Sequence, residues 1–264
     1  MKNVKETDEE YHSRSKSGEY LSSHMLATFR ECPRQYYEKI NSKEESEDCT
    51  AYRIGRAVHK MVLEGVDEFD KTYAIGGPIN DKTGKPYGMD TARASVWFSS
   101  TGKEERLSKE EAIDVDNLYS HVIYHPEARK LINGGVAEKI FRVDSLLGVD
   151  IKCQAKIDYM STAIVDLKTC DNLKYFEFDF KRYGYAYQMA FYRDIVVEFT
   201  KDPLWPVFVV AVEKNTPYRV GVWELTQDFL LPFSKANKDH MIHLKSCRES
   251  GKWPTGYEEI RRMQ

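Results

Sequence analysis

The sequence has no apolar run of about eighteen residues and no Cys-x-x-Cys pair. The first absence argues against a membrane-spanning helix, and the second against a zinc site. Five cysteines are scattered along the chain, which does not indicate a disulfide framework, so we expect reduced thiols. The first ten residues are charged throughout and lack the apolar centre of a secretory signal. We therefore expect a cytoplasmic protein with no membrane association.

Basic residues are not in excess, since the formal net charge is −3. Most nucleic-acid-binding domains are basic, so the total charge alone does not favour that class. The distribution is uneven, however, and this leaves two interpretations open. The basic clusters are either solvated helix faces or sites that contact phosphate groups. They are Arg30, Arg34 and Lys39; Arg53, Arg56 and Lys60; and Lys174, Lys181 and Arg182.

The 264 residues, of which 41% are hydrophobic, suffice for one large domain. We expect a flexible lead at residues 1–20 and a single domain at residues 21–264. Helical periodicity dominates the first half, including an inserted helical segment at about 91–132. From residue 136 the period changes to two, and strands then alternate with helices. This order predicts an α/β fold with a mixed sheet and helices packed on it.

Two carboxylates and an ammonium group follow one another on two strands joined by a turn. On a strand, residues two apart share a face, so Asp166 and Lys168 point to one side while Leu167 points into a core. Asp158, on the preceding strand, can reach the same side across the hairpin. Carboxylates suit Mg²⁺, and this arrangement suits hydrolysis of a phosphodiester. The alternative is a solvated strand face with alternating charge, but the apolar neighbours of Asp166 favour a buried, functional carboxylate.

A second pattern lies on a predicted helix at about 180–199. Tyr185, Gln188 and Tyr192 are three and four residues apart and form one stripe. Aromatic stripes usually belong to a core, which is one interpretation. The carboxamide of Gln188 favours the other, since it can hydrogen-bond a phosphate or a water.

Together these motifs resemble the PD-(D/E)XK nucleases of the RecB-like branch. Within that branch the chain is most similar to the exonuclease VIII (RecE) catalytic domain and its phage and prophage relatives. The resemblance implies a restriction-endonuclease-like α/β core with additional N-terminal helices. The residues that carry it are Ser22, Cys32 to Tyr37, Gly55 to His59, Asp158, Asp166 to Lys168, Tyr185, Gln188 and Tyr192.

The resemblance also implies roles for individual residues. His59, Asp158 and Asp166 would bind the catalytic metal, with the carbonyl oxygen of Leu167 as a further ligand. Lys168 would orient or deprotonate the attacking water.

Other residues would contact the substrate. Gln188 would act in catalysis and, with Tyr192, hold DNA near the scissile bond. Arg30 and Arg34 would recognise a 5′ phosphate, since a guanidinium offers a fork of donors. Further candidates are Arg56 for a backbone phosphate, Glu138 for the metal, and Tyr185.

By this resemblance the chain is a Mg²⁺-dependent DNA exonuclease, with Mn²⁺ also suitable. It would degrade the 5′-ended strand from double-strand ends and leave 3′ tails for a RecT-like annealing protein. A homo-oligomeric ring and a bacterial or phage-infected host cytoplasm are also implied. Iron–sulfur members of the branch combine an early cysteine with a C-terminal group of three cysteines. In this chain Cys247 stands alone after Cys170, so no iron–sulfur cluster is expected. The alternatives are an endonuclease or nickase on the same fold, and an inactive DNA-binding module.

Overall fold

The computed structural model describes residues 6–42 and 50–262. The helices of the first half are α1 (Asp8–Lys16), α2 (Ser23–Glu31), α3 (Pro33–Asn41), α4 (Thr50–His59), α5 (Val66–Thr72), α6 (Ala92–Thr101), α7 (Lys109–Tyr124) and α8 (Pro126–Leu131). Those of the second half are α9 (Phe176–Arg182), α10 (Tyr185–Thr200) and α11 (Gln227–Ser250). The strands are β1 (Tyr73–Ile75), β2 (Glu105–Leu107), β3 (Val136–Val143), β4 (Cys153–Met160), β5 (Ile164–Cys170), β6 (Val207–Glu213) and β7 (Val220–Glu224).

The central sheet has five strands in the order β3-β4-β5-β6-β7. Strands β5 and β6 are parallel, and the other neighbours are antiparallel. The parallel pair follows from the connection through α9 and α10, because a parallel partner needs a crossover. Strands β1 and β2 form a separate parallel pair. The predicted α/β fold with a mixed sheet flanked by helices is confirmed.

Helices cover both faces of the sheet. On one face α10 packs against β3 and β4, with α2 and α11 beside it. On the other, α4 and α7 contact β5 and β6. Strand β5 is consequently buried on both sides. Ile164 belongs to the hydrophobic core on the α10 side of the sheet, and Val165 and Leu167 belong to the core on the α4 and α7 side. This explains why its sequence reads as an almost continuous apolar run.

Several predicted elements differ in detail. The apolar periodicity of residues 50–64 predicts one helix, but this segment leaves α geometry after His59 and continues as a π-helical turn at Lys60–Glu64. The helix predicted at about 180–199 is two helices, because Gly184 adopts φ +75° between α9 and α10. The alternation along residues 149–157 predicts a strand there, and the observed strand begins at Cys153. The segment at 91–132 is helical as predicted, apart from β2.

Within the predicted N-terminal lead, residues 8–16 form α1. Thr7 and Glu10 make a capping box that starts the helix. The side-chain amide of Gln154 then donates to the Tyr11 carbonyl at 2.9 Å and to Ser15 Oγ at 2.7 Å. Both of these helix residues are buried. Because polar contacts with β4 hold α1 in place, the helix does not depend on an apolar stripe. Its sequence therefore shows little of the apolar periodicity that predicts a helix.

Within the described residues, Cys32, Cys153, Cys170 and Cys247 are free thiols. Cys49 lies outside the described residues. None of the helices in the described ranges has the length and apolarity required to cross a bilayer.

Candidate active site

The site begins where β4 and β5 separate. These strands pair through Tyr159 with Val165 and Met160 with Ile164, and no further. Beyond that point the backbone N–H of Leu167 donates instead to Asp158 Oδ2 at 3.0 Å. The side chain of Asp158 therefore takes the place of a missing strand contact. Its carboxylate is fixed in the gap between the two strands.

Asp166 and Lys168 form a buried ion pair on β5. Lys168 Nζ donates to Asp166 Oδ1 at 2.8 Å. It also lies 2.7 Å from Oδ2, but off the hydrogen-bonding direction, so this buried oxygen has no hydrogen-bond partner among the described residues. Asp166 is only 1% exposed.

Burial and the neighbouring charges together shift the pKa values of this pair. Loss of hydration raises the pKa of Asp166, and the nearby Asp158 carboxylate adds to the rise, while Lys168 opposes it. Burial alone would lower the pKa of Lys168, but the carboxylates of Asp166 and Asp158 raise it. The amine of Lys168 is therefore held in its charged form.

His59, Glu138 and Asp158 form a second group beside this pair. One nitrogen or oxygen atom from each lies within 4.8 Å of the others. His59 Nδ1 is 3.5 Å from Asp158 Oδ2. In the β3–β4 ladder Ala137 faces Tyr159 and Lys139 faces Ile157, so Glu138 stands directly across from Asp158.

The backbone of Glu138 is unusual. It adopts φ +54°, a left-handed conformation that is uncommon for residues other than glycine. Burial raises the pKa of Glu138, Lys156 opposes the rise, and Asp158 reinforces it. Strained backbone of this kind persists where the surrounding structure imposes it, and it is concentrated at functional sites.

An imidazole nitrogen and two carboxylate oxygens are suitable ligands for Mg²⁺ or Mn²⁺. The His59, Glu138 and Asp158 group could therefore bind a divalent metal. Asp166 is not part of this group, although its buried Oδ2, which has no hydrogen-bond partner among the described residues, could still accept a cation. That Asp166 binds the metal stays a prediction.

A cleft of about 840 Å³ is lined by His59, Glu138, Asp158 and Lys168, but not by the buried Asp166. Its walls come from α1, α4, β3, β4, β5, α9 and α10. Tyr192 lies on the wall and is 8% exposed. Burial raises the pKa of its hydroxyl, and the carboxylates of Asp158 and Asp166 add to the effect. Gln188 Nε2 is 3.0 Å from Tyr192 Oη and holds the phenol in position.

A family model described as "PDDEXK-like domain of unknown function (DUF3799)" matches residues 22–264. The chain belongs to this family. The predicted PD-(D/E)XK superfamily is thereby supported, whereas the finer RecE-like assignment stays a prediction.

The fold of this PDDEXK-like domain also occurs in a known structure. It is similar to a crystal structure described as "Putative exonuclease" from Eubacterium rectale, with a TM-score of 0.69 and 18% identity. The alignment covers 99% of this chain and 96% of that chain. At this identity the likeness shows a shared fold. No curated protein matches the sequence significantly.

The predicted DNA-binding arginines occupy different places in the PDDEXK-like domain. Arg56 lines the cleft, with its guanidinium 3.4 Å from Glu105. Arg30 stacks on Tyr187, with 3.8 Å between its Cζ and the ring centroid. Arg34 pairs with Glu38 at 2.8 Å. Neither Arg30 nor Arg34 lines the cleft, and their roles in binding DNA stay predictions.

Sequence reasoning missed Lys156 in the PDDEXK-like domain. Its Nζ is 2.6 Å from Glu138 Oε2 and 2.8 Å from Asp8 Oδ1. Burial would lower the pKa of Lys156, but these two carboxylates raise it. Lys156 therefore orients Glu138 and joins α1 to the site. The available signal was its position two residues before Asp158, which puts both side chains on one strand face.

Proposed function

We propose that this PDDEXK-like domain is a metal-dependent DNA exonuclease. The observation that carries the proposal is the meeting of two groups in one cleft. One is the potential metal-binding group of His59, Glu138 and Asp158, and the other is the Asp166–Lys168 ion pair. A cation site beside a charged amine suits hydrolysis of a phosphodiester, whose transition state gains negative charge.

The residues of the cleft have distinct roles in this proposal. A divalent cation, when bound, supplies a Lewis acid for the phosphate and lowers the pKa of the attacking water. Lys168 donates to the phosphate oxygens, since its pKa is raised and its amine is charged. Asp166 orients that amine. Tyr192, held by Gln188, presents its hydroxyl to the substrate from the cleft wall.

The finer assignment rests on the resemblance to the exonuclease VIII branch. It comprises attack at double-strand ends, removal of the 5′-ended strand, and 3′ tails passed to a RecT-like annealing protein. Assembly as a homo-oligomeric ring in the cytoplasm belongs to the same proposal. A ring would also concentrate basic residues on its inner wall, despite the net charge of −3.

Digestion of end-labelled duplex DNA tests this function. Linear duplex labelled at either the 5′ or the 3′ end, and closed circular duplex, are incubated with Mg²⁺, Mn²⁺ or a chelator. We expect rapid release of the 5′ label, retention of the 3′ label, an intact circle and no reaction in the chelator. An Asp166→Asn variant is the control for a contaminating nuclease.

Other outcomes identify the alternatives. Cleavage of the circle would make the protein an endonuclease or nickase. Earlier release of the 3′ label would reverse the proposed direction. If the protein binds DNA but does not hydrolyse it with any of the metals, it is an inactive DNA-binding module.

A further inference from the structure

Two large aromatic side chains stand exposed at the mouth of the cleft. Tyr52 on α4 is 68% exposed, and Tyr183, between α9 and α10, is 58% exposed. Both line the cleft that Lys168 also lines. Tyr52 also shares a helix face with Arg56 and His59, because the three residues are spaced by four and three.

These rings lead inward to the site. The ring centroids of Tyr183 and Tyr185 are 5.9 Å apart, with 51° between the ring planes. Lys168 Nζ lies 5.0 Å from the centroid of Tyr185. Burial raises the pKa of Tyr185, while the charge of Lys168 opposes the rise. Tyr52, Tyr183 and Tyr185 all line the same cleft. The rings thus connect solvent with the Lys168 amine.

Several basic side chains of the cleft wall already pair with carboxylates. Lys60 lies 2.8 Å from Glu64, and Lys214 lies 2.6 Å from Asp171. Lys156 is similarly occupied, by Glu138 and Asp8. The carboxylates partly neutralise these ammonium groups, which therefore attract a polyanion less strongly.

Two exposed cations accompany the rings. Arg182 is exposed, its Cζ is 5.2 Å from the centroid of Tyr183, and its guanidinium makes a loose ion pair with Asp179 at 3.8 Å. Lys181 is exposed beside it. Exposed aromatic rings with neighbouring basic residues are the features that bind single-stranded nucleic acid, because every base offers a face for stacking.

We propose that Tyr52, Tyr183 and Tyr185 form a stacking platform for the bases of an unpaired strand. This inference rests on the proposed function and specifies its substrate as a single-stranded end, including the frayed end of a duplex. Bases within an intact duplex stack on one another and offer no free face to the rings. The strand would pass over the exposed tyrosines before a phosphate reaches Lys168.

Binding of oligonucleotides with and without bases tests the platform. Fluorescence anisotropy compares labelled oligo-dT with an abasic oligonucleotide of the same length, in chelator so that neither is hydrolysed. Tyr52→Ala and Tyr183→Ala should each weaken binding of oligo-dT roughly tenfold and leave abasic binding unchanged. Tyr52→Phe and Tyr183→Phe keep the ring and should bind within about twofold of the parent.

A matched control is Tyr257→Ala. Tyr257 is 74% exposed, with an arginine over its ring at 4.0 Å, but it does not line the cleft. Its replacement should not change binding. The platform is overturned if both cleft alanine variants bind oligo-dT like the parent, or if they lose abasic binding equally. A circular dichroism melt of each variant shows whether it is folded.

Failure of this inference is separable from failure of the proposed function. If the parent digests DNA and the alanine variants bind and digest it equally well, the platform is wrong and the nuclease stands. If the parent digests no DNA, the nuclease is wrong, and the base-dependent binding still reports on the platform.

Discussion

The carboxylate of Asp158 accepts a hydrogen bond from the backbone N–H of Leu167 at the point where β4 and β5 stop pairing. Asp158 therefore both holds two strands together and offers an oxygen to the candidate metal group. A residue with two roles can be tested with two substitutions that affect them differently.

We expect Asp158→Ala to lose nuclease activity and about 2 kcal/mol of stability, because a hydrogen bond to a charged group is lost. Asp158→Asn should lose activity but keep most of the stability, since its amide oxygen can still accept from Leu167. Urea denaturation and DNA digestion measure the two effects. Equal stability of the two variants would show that the hydrogen bond contributes little.

The Asp166–Lys168 pair should be strongly coupled. Lys168→Met leaves a buried carboxylate without its partner and should cost about 3 kcal/mol or more. Adding Asp166→Asn to that variant should restore much of the stability, but not activity. Lys130→Met is the control, because Lys130 is 70% exposed in its pair with Glu127 and should change stability by less than about 1 kcal/mol. Additive effects of the two core substitutions, measured by urea denaturation, would contradict the coupling.

Metal binding can be measured without DNA. We expect His59→Ala and Glu138→Ala each to weaken Mn²⁺ binding at least roughly tenfold in isothermal titration calorimetry, because each removes a ligand atom. Glu127→Ala, in an exposed residue of α8, should leave the affinity unchanged. Parental affinity in the Glu138 variant would exclude that residue from the metal group.

Gln188 should act through Tyr192, since it contacts the phenol and does not line the cleft. Gln188→Ala and Tyr192→Phe should therefore slow digestion by similar factors. The double variant should be no slower than the slower single variant, because both changes disturb one hydroxyl. If the rate losses of the two single variants multiply in the double variant, Gln188 has a function separate from that of Tyr192.

Asp194 should make stability depend on pH. Burial raises the pKa of Asp194 to about 6, while a hydrogen bond from Ser234 opposes the rise. The ordinary value is about 3.9 in an unfolded chain. The native state thus binds the proton more tightly than the unfolded state does. The resulting stabilisation is complete below about pH 4 and is lost as the pH rises through 6.

The measurement compares Asp194→Asn with the parent by urea denaturation between pH 4 and pH 8. The variant has no charge to bury, so its stability relative to the parent should increase across this range by roughly 2 kcal/mol. A difference that is constant with pH would show that Asp194 is ionised without penalty in the native state.

Much of the fold was predictable because local patterns carry it. Alternation along Ala163 to Lys168 predicted a buried strand with Asp166 and Lys168 on one face, and the ion pair between them agrees with that face. The capping-box pattern at Ser108 predicts a helix start, and Pro126 predicts a helix break or a new start; the structure has helices that begin directly after Ser108 and at Pro126. Helix α1 was missed, because polar contacts with Gln154 hold it in place of an apolar stripe.

The sequence by itself determined which chemical groups are present, their order along the chain, and which strand face each one occupies. These properties follow from the periods of helices and strands, which act over a few residues. Only the tertiary structure decided that Glu138 meets His59 and Asp158, with ligand atoms within 4.8 Å of one another. That meeting depends on the β3–β4 register and a left-handed backbone, so it is fixed by contacts between distant segments.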